Sequence, residues 1–283
     1  MGRAPRDAYK RRQAAHLGSV ADGLSMRTVV VTAPVYWADD SGNPETIGSA
    51  TLLQFDRARF LLTAAHVLDH RHKRPLAAGV EHRLITIQGE VARIVSKDAR
   101  SPAEDPIDIA VVRLAGPWAQ LPDSAFADWS ELDHSGAPMT RNSHLIIGYP
   151  CTKQRGMLRG DQLGAYAYRV SGLEATEATY RRVGADPQAT LIVGFDRRRT
   201  WGPQGRLTAP DLYGMSGGGI WRFCRYLSTA TQPPQLSAVA IEWHRSGQHK
   251  YVTGTRIRPI IAHLADMYDD VKNILLRPPK GAA

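Results

Sequence analysis

The sequence predicts an all-β protein with two six-stranded antiparallel β-barrels and a C-terminal α-helix. Short segments rich in β-branched and apolar residues alternate with Gly, Pro, Asp and Asn, which is typical of antiparallel architecture. The pattern occurs in two series of similar length, and a stretch rich in Pro, Asp and Ser separates them. Two such series favour two barrels with a cleft between them. Near the end of the sequence, apolar residues recur at the spacing of an α-helix instead.

The domain organisation follows from these changes of pattern. A basic extension, residues 1–26, precedes a first barrel at residues 27–120. Residues 121–143 form the predicted connection to a second barrel at residues 144–258. The predicted strands are residues 27–31, 49–55, 59–63, 84–87, 89–95 and 109–114 in the first barrel, and residues 144–148, 165–171, 190–195, 218–223, 236–243 and 250–257 in the second.

The C-terminal segment, residues 259–283, has an apolar residue at every third or fourth position. This spacing places the apolar side chains on one face of an amphipathic helix. We expect that face to pack against a barrel. The positions are Ile260, Leu264, Met267, Val271 and Ile274.

Composition and charge exclude several classes of protein. A hydrophobic content of 43% and a charged content of 22% are ordinary for a folded soluble chain. The net charge of +9 permits attraction to nucleic acid, but no zinc spacing, recognition helix or aromatic–basic pattern supports that function. No apolar run is long enough to span a membrane. Two unpatterned cysteines, Cys151 and Cys224, and a charged N-terminal stretch predict a cytoplasmic protein with free thiols.

The stretch YGMSGGG, residues 213–219, places Ser216 in a run of glycines. Such a run indicates that backbone must approach something closely. Taken alone, it also fits a glycine-rich loop with a solvated serine. The string matches the G-x-S-x-G elbow of α/β-hydrolases, but that site needs a strand before the serine and a helix after it. A loop precedes Ser216 and a predicted strand follows, so we reject the elbow.

A serine nucleophile needs a neighbouring base, and the base needs a carboxylate that fixes its tautomer. His66 is the one histidine at the close of a strongly apolar strand, in FLLTAAHVL. Asp108 opens an apolar strand in DPIDIAVVRL, where an acid requires a partner. Asp105, in the preceding loop, is a rival for the same role. Each residue alone is also compatible with a structural role.

Taken together, the motifs TAAH, DIAVV and GMSGGG resemble the His, Asp and Ser motifs of the trypsin-like (chymotrypsin-fold) serine peptidases, in the same order. The resemblance covers roughly residues 27–275. The GYP at residues 148–150 is similar to a strand end in bacterial members, and we expect a bacterial-type intracellular member.

The resemblance implies a serine endopeptidase that acts on a peptide or protein through an acyl-enzyme, with no metal or organic cofactor. Ser216 would be the nucleophile, His66 the base and Asp108 the residue that orients it. The N–H groups of Gly214 and Ser216 would form the oxyanion hole. The alternative is a protease-like module that binds peptides without cutting them.

Met215 departs from the family pattern, because secreted trypsins have Asp immediately before the nucleophile. There, the Asp pairs with an N-terminus that proteolytic cleavage releases. Met cannot make that pair, so we expect no activation by this route. The protein is then either active as made or dependent on an activating partner.

The predicted substrate pocket contains Asp211, Glu242, Trp243 and His244. Residues 240–243 resemble the pocket-wall strand of bacterial glutamyl endopeptidases, which have a histidine where this chain has Glu242. With Asp211 near the pocket base, Glu242 predicts cleavage after Arg or Lys by charge complementarity. The alternative is that Glu242 faces solvent or pairs with an arginine.

Overall fold

The computed structural model describes residues 26–38, 40, 43–95, 107–135, 143–153, 158–159, 162–202, 205–223, 233–245 and 250–276. It contains two large antiparallel sheets, each curled into a half-barrel, together with a few short helices. The predicted all-β class with a C-terminal helix is confirmed.

The first sheet has seven strands, one more than predicted. These are β1 (Thr32–Ala38), β2 (Pro44–Phe55), β3 (Ala58–Ala64), β4 (Leu76–Val80), β5 (Arg83–Thr86), β6 (Gly89–Ile94) and β7 (Ile109–Leu114). Their order across the sheet is β5-β4-β1-β2-β3-β7-β6. The strand predicted at residues 27–31 is wrong, and β1 and β4 were not predicted.

Residues 26–30 form a helical turn, α1, instead of a strand. The guanidinium of Arg27 binds the Glu131 carboxylate, with Nε 2.7 Å from Oε1, and it also donates to the carbonyls of Ser124 and Phe126. These tertiary contacts override the β-branched composition of the segment. Strand β4 has the sequence LAAGV, and Ala and Gly are depleted in strands, which explains why it was missed.

The second sheet has the six strands that the sequence predicted. These are β8 (Ser143–Gly148), β11 (Tyr168–Leu173), β12 (Thr190–Gly194), β15 (Gly219–Phe223), β16 (Gln235–His244) and β17 (Tyr251–Arg256). Their order is β11-β8-β15-β16-β17-β12, and an isolated bridge between Glu174 and Val193 joins the two edges. Two small hairpins accompany the sheet: β9 (Leu158–Arg159) with β10 (Gln162–Leu163), and β13 (Thr200–Gly202) with β14 (Gly205–Leu207).

The segment between the two sheets contacts both of them. It contains three short 3₁₀ turns, at Gly116–Gln120, Asp123–Ala125 and Trp129–Glu131. Isolated parallel bridges then pair Ala127 with Leu53 of β2, and Leu132 with Leu236 of β16. The predicted boundaries between barrels and connection stay predictions.

The C-terminal helix is two helices, α4 (Ile257–Met267) and α5 (Asp269–Leu275), because the backbone of Tyr268 is extended. This break ends the continuous apolar face that the spacing predicts. Leu264 and Val271 are buried in a cluster that includes side chains of both sheets, whereas Met267 is 39% exposed. Among the described residues, no helix is long and apolar enough to cross a membrane.

The packing of α4 gives a matched pair of stability predictions. Leu264→Ala should lower the free energy of unfolding by roughly 2–5 kcal/mol, because it leaves a cavity between the helix and the sheets. Met267→Ala should lower it by less than about 1 kcal/mol, because that side chain is partly solvated. Urea denaturation of both variants measures the difference. Equal losses would contradict the packing described for α4.

Candidate active site

His66 and Asp108 meet where strands β3 and β7 lie side by side. Ala64, at the end of β3, pairs with Ile109, at the start of β7. Asp108 therefore lies beside helix α2 (Ala65–Leu68), and the N–H of Ala65 donates to its carbonyl at 2.8 Å. The strand register thus places the carboxylate next to the imidazole.

His66 engages both carboxylate oxygens of Asp108. Oδ2 lies 2.5 Å from the ring Nδ1, and Oδ1 accepts the backbone N–H of His66 at 3.2 Å. Because an ionised carboxylate only accepts, Nδ1 carries the proton and Nε2 remains an acceptor. The φ of Asp108 is 33°, in the left-handed region that few non-glycine residues adopt. The rival carboxylate, Asp105, lies outside the described residues.

A second imidazole lies near this pair, in the 3₁₀ turn Asp69–His72. His70 stacks edge-on against Trp37, with the ring centroids 4.8 Å apart. Burial lowers the pKa of His70, and the positive charge of Lys73 lowers it further. His70 is therefore predominantly neutral near pH 7 and adds little charge beside His66.

Strand β2 of the first sheet holds the loop that carries Ser216. The N–H of Ser49 donates to the Ser216 carbonyl at 2.8 Å, and the Ser49 hydroxyl donates to the Gly214 carbonyl at 2.8 Å. The Thr51 hydroxyl donates to the Gly217 carbonyl at 3.1 Å. Three carbonyls of the loop are therefore fixed toward β2.

The backbone N–H groups of Gly214 and Ser216 donate no hydrogen bond within the described part of the chain. The N–H of Met215, between them, donates to the carbonyl of Leu212 at 2.9 Å. The Ser216 hydroxyl donates to the carbonyl of Ile241 at 2.7 Å and makes no hydrogen bond to a described histidine. Within the described residues, the N–H of Ser216 and the N–H of Gly214, two positions earlier, are therefore both without an acceptor.

Two glycines of this loop have backbone conformations that side chains disfavour. Gly214 has a φ of 97°, and a Cβ there would lie 2.5 Å from Cys151 Sγ. Gly217 has a φ of 91°, and its Cβ would lie 1.9 Å from the Ser49 carbonyl oxygen. The close approach of backbone to backbone explains the run of glycines in the sequence.

Met215 is 3% exposed and belongs to the apolar core of the second barrel, with Ile146, Leu212 and Ile220. Its side chain carries no charge and therefore needs no ion-pair partner in this position. Packing, rather than an ion pair, stabilises the loop here.

Two cavities share Ile241 and Glu242, and the smaller of them adjoins the loop. The larger is a cleft of about 670 Å³ with His66 and Asp108 in its wall. Its other wall includes residues 183–185, at the end of helix α3 (Glu177–Val183). The smaller is a pocket of about 20 Å³ that Ser216 borders.

The structure does not bring the four predicted pocket residues together. The carboxylate of Asp211 accepts the N–H of Tyr213 at 3.0 Å and faces Arg197 and Arg245, with N···O distances of 3.7 and 3.5 Å. Among the residues that the structure describes, Asp211 lines neither of these cavities. Two guanidinium groups face the carboxylate of Asp211, and its place at the base of the substrate pocket stays a prediction.

The remaining predicted pocket residues lie along β16. Trp243 lines the small pocket and His244 lines the cleft. The side chain of Glu242 is 64% exposed, and its Oε2 lies 3.5 Å from Nε2 of His244. The carboxylate of Glu242 is thus largely solvated while the residue lines both cavities, and its role in the substrate pocket stays a prediction.

A family model described as Trypsin matches residues 41–188, slightly more than half of the chain. The chain belongs to the trypsin family. The trypsin-family match includes His66 and Asp108 and ends before Ser216. A solved structure titled neuropsin, a serine protease expressed in the limbic system of mouse brain, is 16% identical. The comparison covers 85% of this chain and 95% of neuropsin, with a TM-score of 0.56. That likeness supports the chymotrypsin-like fold. No curated protein matched the sequence.

Sequence reasoning missed the role of Ser49 and Thr51 in this trypsin-family chain. Both lie on β2, which is far from Ser216 along the sequence. The only indication in the sequence is the string of small residues GSAT, which permits another segment to approach β2 closely but does not show which segment.

Ser49→Ala tests the attachment of the Ser216 loop to β2. It removes a buried hydroxyl that donates to the Gly214 carbonyl and accepts the N–H of Tyr149 at 2.8 Å. We expect the free energy of unfolding to fall by about 2 kcal/mol, because two buried backbone groups lose their partner. Ser171→Ala, at an exposed position of β11, is the control and should change stability by less than about 0.5 kcal/mol. Equal stability of the two variants in urea would contradict the attachment.

Proposed function

We propose that this trypsin-family protein is a serine endopeptidase in which Ser216, His66 and Asp108 form the catalytic triad. The observation that carries the proposal is the 2.5 Å contact between His66 Nδ1 and Asp108 Oδ2, in the wall of a cleft. The cleft and the pocket beside Ser216 share residues of β16, so one extended peptide can contact both.

In the proposed mechanism, the Ser216 side chain rotates from the Ile241 carbonyl toward Nε2 of His66. Its Oγ attacks the scissile carbonyl while Nε2 takes the proton, and Asp108 stabilises the imidazolium. The tetrahedral intermediate then collapses, and His66 returns the proton to the leaving amine. A water molecule, activated by the same imidazole, releases the acyl group from Ser216.

The N–H groups of Gly214 and Ser216, which donate to no acceptor among the described residues, are the proposed oxyanion hole. Each is a fixed backbone donor, so stabilising the oxyanion requires little reorganisation at the moment of reaction. One such donor typically contributes about 3 kcal/mol to lowering the barrier. The hydrogen bonds from β2 to the neighbouring carbonyls support this orientation.

One observation favours a second candidate, a protease-like module that binds peptides without cleaving them. The Ser216 hydroxyl donates to the carbonyl of Ile241 rather than to an imidazole. In that case the cleft would bind peptide and the hydroxyl would stay unreactive.

Two further parts of the proposal concern location and regulation. The cytoplasmic location stays a prediction; the Cys151 thiol, which donates to the Thr46 carbonyl at 2.9 Å, is compatible with it. Buried Met215 and the contacts with β2 favour a protein that is active as made. An activating or regulatory protein partner stays a prediction.

Labelling with a fluorophosphonate probe tests the nucleophile. The unmodified protein should label, because the probe reacts with an activated serine, and Ser216→Ala should abolish labelling. Ser171→Ala, the exposed control, should label normally. Labelling that survives in Ser216→Ala would assign the reactive hydroxyl elsewhere. Absence of labelling in folded protein, together with retained peptide binding, would favour the binding module.

Asp108→Asn tests the orienting carboxylate. We expect kcat on a peptide substrate to fall about ten-thousandfold, because an amide in this position favours the wrong imidazole tautomer. KM should change little, since Asp108 contacts His66 rather than the peptide. The control is Asp56→Asn, an exposed residue with a φ of 54° that Asn also tolerates. Similar kcat values for the two variants would remove Asp108 from the triad.

A further inference from the structure

We propose that the small pocket beside Ser216 takes an aliphatic side chain of alanine or valine size, from the substrate residue that contributes the scissile carbonyl. This inference rests on the proposed function and deepens it by naming the substrate class. It replaces the preference for Arg or Lys that the sequence predicts.

The walls of the pocket are predominantly apolar. Seven of its lining residues are hydrophobic: Ile146, Leu212, Met215, Ala240, Ile241, Trp243 and Val252. All but Ile241 and Trp243 are at least 95% buried and belong to the core of the second barrel. A charged group placed among such residues loses its hydration and gains no partner, which is strongly unfavourable. An aliphatic group gains free energy there because water is excluded.

The size of the pocket restricts the side chain further. Its volume of about 20 Å³ holds roughly one water molecule. Because the walls are core side chains packed against the sheet, widening the pocket would disturb several buried contacts at once. A methyl or isopropyl group requires the smallest displacement of the pocket walls, whereas a long or aromatic side chain requires a larger displacement.

The nearby charges do not suit a basic side chain. Asp211 already faces two arginines, and one of these, Arg245, places its guanidinium carbon 5.7 Å from the centroid of the Trp243 ring. Within the described residues, the indole N–H of Trp243 is buried without a hydrogen-bond partner. The indole N–H is a hydrogen-bond donor, and Lys and Arg side chains carry no acceptor that could pair with it.

Glu242 is the one carboxylate among the described residues that line the pocket. Its side chain is mainly solvated, and its carboxylate lies beside His244, which lines the cleft and not the pocket. Solvent screening weakens the attraction between such an exposed carboxylate and a cation. The negative charge of Glu242 therefore lies on the solvated side of the pocket and not among its buried apolar side chains.

The position of Ser216 identifies which substrate residue enters the pocket. Its hydroxyl contacts the Ile241 carbonyl, and both residues line the pocket. The residue whose carbonyl Ser216 attacks is covalently attached there in the acyl-enzyme, so its side chain is the nearest one to the pocket.

Peptide p-nitroanilides of the form Ala-Ala-Pro-X, with X as Ala, Val, Leu, Phe, Glu, Lys or Arg, test the inference. We expect kcat/KM for the better of Ala and Val to exceed that for Phe, Glu, Lys and Arg by at least about tenfold. Fluorophosphonate labelling of the same preparation reports the nucleophile separately. If a preparation that reacts with the probe cleaves preferentially after Arg or Lys, this inference is overturned and the proposed endopeptidase function stands. If the protein neither reacts with the probe nor cleaves any of these substrates, both the inference and the proposed function are overturned.

Two variants locate the specificity in the pocket. Val252→Ala should enlarge the pocket and raise the ratio of kcat/KM for Leu to that for Ala by about tenfold. Asp211→Asn is the matched control and should leave the order of preference unchanged, because its carboxylate faces Arg197 and Arg245. An unchanged ratio in folded Val252→Ala, or a selective loss of cleavage after Arg in Asp211→Asn, overturns the inference.

Discussion

The hydrogen bonds between strand β2 and the Ser216 loop are the contact on which the site depends. Ser49 fixes the carbonyls of Gly214 and Ser216, and Thr51 fixes that of Gly217. The carbonyl of Ser49 in turn accepts the Thr63 hydroxyl at 2.7 Å, three residues before His66 on the same chain. One strand of the first sheet therefore contacts both the segment that leads to the imidazole and the loop that carries the hydroxyl.

This contact gives a physical reason for the neutral residue before Ser216. Buried Met215 packs in the core of the second barrel, so its position does not depend on a new N-terminus as a counter-charge. The loop is held by packing and by neutral hydrogen bonds, which respond little to salt or to proteolytic processing.

Sequence patterns predicted the second sheet well and the first less well. The strands of the second sheet are rich in Val, Ile and Leu, whereas β4, with Ala and Gly, has little strand propensity of its own. Residues 26–30 have β-branched composition but become helical, because Arg27 contacts a segment about a hundred residues away. Such contacts cannot be deduced from local propensity.

Predictions for the site divide in a similar way. The pairing of His66 with Asp108 follows from motif and strand order, and the structure has these residues in contact. The sequence did not indicate that Arg197 and Arg245 would face the carboxylate of Asp211, because neither is its neighbour in sequence. The role of Ser49 was not predicted, because the sequence around a serine on a strand does not indicate which distant group its side chain contacts. Residues that act through the backbone of a distant loop are visible only in three dimensions.

The most direct measurement of the central claim is the intact mass of the full chain, quenched with acid during turnover of an N-acyl-alanine ester. The account predicts an adduct of one acyl group on the uncut chain, located by peptide mapping at Ser216. Acylation that appears only after the chain has been cut, or an adduct at another residue, would contradict it.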